Sequence, residues 1–274
     1  MQRIVLFHLL LTKLKLTRTP IVWTVHNVRP HEEMHPLVTM ALRRFDRQVQ
    51  TRIVLNKATA EDSAFGTHSF SVIPHGHYLP TVNAAGQTDL EPSSDYLFFG
   101  LIRPYKNVSA LLNAFIELKD ENLTLRIAGL AQPVTHGAAL AASAKNDSRV
   151  KITLNFLSDD ALVQAIRATK LVVLPYSEMN NSGAALLALS VGRPVLVPEN
   201  VATRELQSEF GQFWVQLYDG ELTGAILKAS QDLVRRAPTE QSPDLSARDW
   251  HGIAEQHHAI YATVSSSGRI SRNS

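Results

Sequence analysis

The sequence has no cysteine. That excludes a disulfide framework, thiolate ligands and a cysteine nucleophile. It also lacks a long hydrophobic run. The longest early one, Ile4–Leu11, is interrupted by His8 and falls far short of the roughly 18–20 residues that span a bilayer. No small-residue cleavage site follows it, so no secretory leader is expected. Neither sign of charge dominates: 27 Lys+Arg stand against 25 Asp+Glu, a formal net charge of +2 mixed along the chain. A nucleic-acid partner is therefore not expected. No G-x-G-x-x-G, Walker loop or G-x-S-x-G occurs, which weakens dehydrogenase, NTPase and hydrolase readings. There is no Asp-x-Asp to bridge a divalent ion to a diphosphate. The 11 histidines are scattered, and His31 with His35 at i,i+4 lacks an evident third ligand, so no metal is expected.

What is present is a 274-residue chain with 45% hydrophobic residues, enough for one large core or two small ones. Residues 95–264 alternate short β-rich runs with helices of about ten residues, the pattern of a doubly wound parallel α/β sheet. Residues 1–80 supply only Ile21–Val25, Arg52–Leu55 and Phe70–Ile73 as strands, with helices at Arg3–Leu16, Pro36–Val49 and Lys57–Phe65. They read as a partial first domain whose beginning would precede Met1. Residues 81–94, within the Pro-, Gly- and Ser-bearing stretch Leu79–Ser94, read as a linker. The second domain spans 95–248 and a closing helix spans 249–264. That helix has Trp250, Ile253, Ala254, His257 and Tyr261 on one face. The polar tail 265–274 reads as disordered. Lys13, Lys15 and Arg18 flank the first helix and could touch an anionic lipid surface, though a core-facing helix with solvated lysines accounts for them better.

The candidate chemistry sits at strand ends. In Lys170–Pro198 a buried strand, Leu171–Leu174, leads through the polar loop Tyr176–Asn181 to a helix opening at Ser182-Gly183. Asn181, Ser182 and Gly183 would bring backbone N–H groups to a helix N-terminus, which suits a phosphate. An ordinary βαβ crossover is the plainer alternative. Gly100 through Lys106 ends the first strand of the second domain, and Arg103 with Lys106 places two cations in that loop. In a doubly wound sheet the two loops can share one crevice. Two cations and one helix tip suit a diphosphate. Solvated surface charges are the alternative. His26 stands at the corresponding strand end of the first domain.

These residues resemble a known family. Thr24-Val25-His26-Asn27, Val72-Ile73-Pro74-His75-Gly76, Phe99-Gly100 through Lys106, Leu125-Arg126-Ile127-Ala128-Gly129, and Glu178 through Gly183 with Gly192-Arg193-Pro194-Val195 occur in order over residues 20–264. Together they look like the retaining GT-B glycosyltransferases of family 4, the group 1 glycosyl transferases. The resemblance implies two Rossmann-like doubly wound sheets facing a cleft, the first one incomplete. It implies transfer of a hexose from a UDP-, GDP- or ADP-sugar to a glycan or lipid-linked acceptor, with retention and without metal or other cofactor. By position, Arg103 and Lys106 would hold the diphosphate. His26 and Glu178 would act at the donor sugar, and Gly100 and Asn181–Gly183 would approach sugar or phosphate. The setting implied is a bacterial carbohydrate-polymer pathway, cytoplasmic and peripheral to the inner face of the membrane.

The sequence also departs from the pattern. The family's second glutamate, which holds the ribose, falls on Leu187. The first falls on Met179, so Glu178 is one residue early. Leu101 stands where an arginine is usual, and Lys170 where an aspartate is common. These departures keep a second reading open: a nucleotide-sugar-binding or scaffold module impaired in catalysis. A sugar-nucleotide epimerase fits less well, for want of the carboxylates and histidine it would need.

Overall fold

A computed structural model describes residues 2–26, 35–60, 70–86, 93–236 and 242–270. The chain forms two units, one of residues 1–76 with 247–274, the other of residues 77–246.

The first unit holds α1 (Gln2–Leu16), β1 (Ile21–Val25), α2 (Pro36–Asp46), β2 (Val49–Val54), α3 (Lys57–Ala60), β3 (Phe70–Val72) and the last helix, α11 (Trp250–Ile270). Its three strands are parallel in the order β1-β2-β3. Pro36 starts α2 at a position where its missing N–H costs nothing, and His35 Nδ1 accepts from Leu37 N at 3.3 Å. The expected helix to Val49 is about a turn too long. Val49 is β-branched, buried and paired with Ile21, so strand pairing takes it from the helix. Asn56 caps α3, its Oδ1 accepting from Thr59 N at 2.6 Å. The rest of the helix expected to Phe65 lies outside the described residues.

Ile253 of α11 packs with Ile53 and Ile73. Its buried line is Ile253, His257, Ile260 and Val264, which keeps Ile253 and His257 of the expected face but not the rest: Trp250 and Tyr261 are about half exposed. Trp250 still has a partner, since a Cβ on Gly76 would stand 2.5 Å from its ring. The helix also runs to Ile270, past the Val264 end expected for it and into the tail expected to be disordered. Thr263 Oγ1 and Ser266 Oγ bond back to the carbonyls of Ala259 and Ala262 at 2.9 and 2.7 Å, so these hydroxyls do not compete with the helix. Among the described residues no helix is long and apolar enough to cross a membrane.

The second unit holds α4 (Leu79–Ala84), β4 (Ser94–Phe99), α5 (Val108–Ile116), β5 (Leu125–Ala128), α6 (Val134–Ala144), β6 (Val150–Thr153), α7 (Asp159–Arg167), β7 (Thr169–Val173), α8 (Gly183–Ser190), β8 (Val195–Pro198), α9 (Val201–Phe210), β9 (Val215–Tyr218) and α10 (Gly224–Arg236). All six strands are parallel, in the order β6-β5-β4-β7-β8-β9. This is the doubly wound α/β sheet. Its order reverses between β4 and β7, so a crevice opens there at the carboxyl ends. Every residue of β4 is buried, as a central parallel strand covered on both faces requires. Helix α5 lays Val108, Leu111, Leu112 and Phe115 into the same core.

The stretch expected as a linker begins instead with α4, which is tied into this unit. Val82 is buried, Arg167 Nη2 donates to Val82 O at 3.0 Å, and Gln164 Nε2 donates to Ala85 O at 3.2 Å. Residues 87–92 lie outside the described residues.

Lys170, unusual at its position, also has a structural use. Its ammonium pairs with Asp95 Oδ1 at 2.9 Å. The same carboxylate, almost fully buried, accepts from Gln231 Nε2 at 3.0 Å, Thr124 N at 2.9 Å and Thr124 Oγ1 at 3.1 Å. It joins β4, β5, β7 and α10. Asp95→Asn keeps one acceptor and loses the charge. We expect a loss of about 2 kcal/mol, read as a lower midpoint in urea with unchanged slope. A midpoint equal to that of the parent would show that the network is not structural.

Candidate active site

The crevice between β4 and β7 is built from two strand-end loops. After Phe99 the chain turns at Gly100, whose φ of +105° lies where a side chain is strained. Gly100 N donates to Ala128 O at 3.0 Å, Ile102 N to Leu130 O at 2.9 Å, and Gln132 N to Ile102 O at 2.9 Å. The loops after β4 and β5 therefore lie backbone against backbone. A Cβ on Gly129 would fall 1.8 Å from Gly100 O, so only glycine fits there. Arg103 extends across this pair, its Nη2 donating to Gln132 Oε1 at 3.1 Å. A single 3-10 turn, Pro104–Lys106, then brings the chain to Asn107, at φ +51°, and into α5.

That turn sends Lys106 back toward β7. Its Nζ donates to Tyr176 Oη at 3.0 Å and lies 4.4 Å from the centre of the Tyr176 ring. The loops are also joined by Ser177, whose N and Oγ both donate to Tyr105 O, at 2.9 and 3.0 Å. Burial, and then the neighbouring charge of Arg103, push the Lys106 ammonium down to about 8. Burial pushes the Tyr176 phenol upward. A poorly hydrated cation beside a second cation is a local field suited to an anion. Tyr176→Phe keeps the ring and removes the acceptor. We expect nucleoside diphosphate to bind about three- to tenfold more weakly, the worth of one hydrogen bond of about 1 kcal/mol. Calorimetric titration giving the parental affinity would remove Tyr176 Oη from the positioning of Lys106.

After β7 the chain passes the exposed Glu178 and the buried Met179 to α8. Ser182 is the N-cap, its Oγ accepting from Ala185 N at 3.1 Å. The hydroxyl is thus used by the helix, and Gly183 opens it. The Tyr78 hydroxyl stands over that glycine, 2.8 Å from where a Cβ would be. Asn200 caps α9 and donates from Nδ2 to Met179 O at 2.9 Å, anchoring the loop that carries Glu178.

Gly100, Arg103 and Lys106 thus lie on the loop after β4. Glu178, Asn181, Ser182 and Gly183 lie on the loop after the neighbouring strand β7. His26 belongs to the first unit, exposed at the carboxyl end of β1. Asn27 lies outside the described residues. Leu187, where the resemblance has a glutamate, is buried in α8. A carboxylate does occur one strand over: Glu199 ends β8 and pairs with Arg204 at 2.6 Å. Tyr78, Gln132, Tyr176 and Asn200 were not among the sequence candidates. Tyr176, directly after an apolar strand and its terminating Pro175, and Asn200, directly before a helix, both carried a readable signal. Gln132 and Tyr78 carried none. Among the described residues no group of three His, Asp or Glu side chains is disposed to hold a metal ion.

Comparison with known proteins bears on the family and the fold. The family model described as "Glycosyl transferases group 1" matches residues 93–232. A curated relative from Xanthomonas campestris pv. campestris, GDP-mannose:glycolipid 4-beta-D-mannosyltransferase, is 39% identical over 253 residues, 92% of this chain and 71% of its own. Among solved structures, Anabaena Alr3699/HepE in complex with UDP-glucose superposes with a TM-score of 0.64 at 16% identity, covering 94% of this chain and 76% of that one. Sucrose-phosphate synthase from Thermosynechococcus elongatus superposes with a TM-score of 0.63 at 15% identity, covering 92% and 70%. At these identities the two structures speak to the fold alone.

Proposed function

The chain belongs to the group 1 glycosyl transferases, nucleotide-sugar enzymes of GT-B architecture, and on that premise we propose that it moves a mannosyl group from GDP-mannose to a glycolipid acceptor. The observation that carries the reading is Lys106, held by Tyr176 at the point where the sheet order reverses, with Arg103 on the same loop. In the transfer the bond from the sugar's anomeric carbon to the β-phosphate oxygen breaks, and GDP leaves with the electron pair. Lys106, Arg103 and the start of α8 meet the charge that develops, the work a divalent ion does elsewhere. Glu178 would hold the sugar hydroxyls. The acceptor oxygen bonds to the anomeric carbon and gives up its proton.

Where that proton goes depends on stereochemistry. The resemblance implies retention, with the leaving phosphate as base. The Xanthomonas relative is named for a β-linkage, and from an α-linked donor a β product means inversion. We therefore take inversion as the course here, with His26 or Glu178 as base. A glycolipid acceptor fits work at the inner face of the membrane.

The test is incubation with radiolabelled GDP-mannose and a glycolipid acceptor, followed by α- or β-mannosidase digestion of the product. A β-mannoside is expected. An α-mannoside restores retention. Donor binding seen as a raised melting temperature, with no transfer to any acceptor, supports the binding-module reading instead, which the buried Leu187 favours.

A further inference from the structure

The first unit contains a cavity of about 790 Å³ at the amino ends of β1 and β2, the opposite end of β1 from His26. Pro20 and Ile21 open β1 there, and Gln48–Thr51 open β2. Among the thirteen residues that line it are four cations, Lys15, Arg18, Arg44 and Arg47, and no Asp or Glu. The nearby carboxylate of Asp46 is engaged by Arg52 at 2.5 Å.

Part of this charge has a local explanation. Helices α1 and α2 both end beside the cavity, and cations complement helix C-termini. Two C-termini offer about −0.5 each, less than the three positive charges of Lys15, Arg44 and Arg47 alone. One of the four is also fixed in place. Arg44 is half-buried, its Nη2 donating to Thr12 Oγ1 at 2.8 Å and its Nη1 lying 3.0 Å from His8 Nδ1. A planar guanidinium held from behind presents its remaining donors in a set direction, the geometry that phosphate oxygens match. Gln48 and the Thr51 hydroxyl add uncharged donors to the same wall.

We propose that this cavity binds a multiply charged phosphate, carried either by an anionic lipid headgroup or by a soluble polyphosphate. A lipid would find apolar surface alongside. Leu16, directly after Lys15, is 80% exposed, and Leu6, Leu9 and Leu10 are exposed on the same helix. This site is separate from the donor crevice. It lies in the other unit and uses none of the donor residues.

The experiment has two arms. One sediments the protein with vesicles of phosphatidylglycerol and phosphatidylcholine, and with phosphatidylcholine alone. The other titrates sodium tripolyphosphate against the Arg103→Ala/Lys106→Ala variant, so that the donor crevice cannot answer for the cavity. In each arm Lys15→Glu/Arg18→Glu/Arg47→Glu is set beside Arg3→Glu/Lys13→Glu, which reverses charge on α1 away from the cavity. All variants are first checked for an unchanged circular dichroism spectrum, and Arg18→Gln/Arg47→Gln replaces the triple variant if that one unfolds. Binding is expected to weaken by about tenfold or more in the cavity variant and much less in the control. Loss confined to the vesicle arm identifies a lipid phosphate, and loss confined to the tripolyphosphate arm a soluble one. Equal loss in the two variants, or no binding in either arm, overturns the proposal.

Discussion

Lys106→Ala is expected to lower kcat/KM for the sugar donor by about a hundred- to a thousandfold, the cost of deleting one preorganised charge at a developing anion. The expectation rests on cost as well as place. The ammonium is partly buried and sits beside Arg103, and both effects hold it near 8, below its ordinary 10.5. The folded protein keeps this cation against its local environment, and an arriving diphosphate relieves both penalties. The sign of the pH dependence follows. Below about 8 the group is charged in folded and unfolded chains alike. Between about 8 and 10.5 the unfolded chain holds a proton that the folded one has lost, so this group's contribution to stability rises with pH across that window. Donor affinity runs the other way. It falls as pH rises through 8, and binding above 8 draws a proton from solution. Calorimetry in buffers of different ionisation enthalpy reads that uptake. Lys106→Arg keeps a charge that does not titrate in this range, so the alkaline fall should vanish even if activity is low. A parental alkaline limb in Lys106→Arg would assign the titration to another group and remove Lys106 from the donor site.

How much of this was legible in the sequence depended on whether the cause was local. The doubly wound sheet was legible because β4, β7 and β8 each carry an apolar run, Tyr96–Phe99, Leu171–Val173 and Val195–Val197, with helices between them, and strands buried on both faces leave that trace. The two loops at the reversal point were legible for the same reason: they follow the runs directly. Ser158, directly before Asp159, carries the local signal of an N-cap, and its Oγ accepts from Ala161 N at 3.4 Å. What failed was set by partners distant in sequence. Nothing near Leu79–Ala84 announces that Gln164 and Arg167 will take its carbonyls. Val49 looks helical until Ile21 pairs with it. Trp250 and Tyr261 have the right spacing for a buried face, but the packing keeps Ile253 and His257 and shifts the rest to Ile260 and Val264. The hold of Tyr176 on Lys106 spans 70 residues, so each position can be noticed in the sequence but their pairing cannot.

Gly129→Ala carries the largest structural effect expected of any single methyl group in the second unit. The new Cβ would meet Gly100 O at 1.8 Å, Gly100 C at 2.7 Å and Gly100 N at 3.2 Å. These are backbone atoms, so no side chain can swing aside. The loop after β5 must part from the loop after β4, and the bonds from Gly100 N to Ala128 O and from Ile102 N to Leu130 O open with it. Overpacking and two lost hydrogen bonds together come to about 3 kcal/mol or more. In a unit of this size that is a fall in melting temperature of roughly 6–12 °C. Backbone strain alone is isolated by Gly192→Ala, whose φ is +78° with no atom within 4 Å of the added Cβ, and which should cost only about 1–2 kcal/mol. Activity separates the two further. The displaced loop carries Arg103 and Lys106, so Gly129→Ala should lose donor binding at temperatures where it is still folded, while Gly192→Ala keeps it. Equal melting temperatures for the two variants, with donor affinity intact in both, would mean that the loops after β4 and β5 do not meet backbone to backbone. The diphosphate site would then lose the support that positions it.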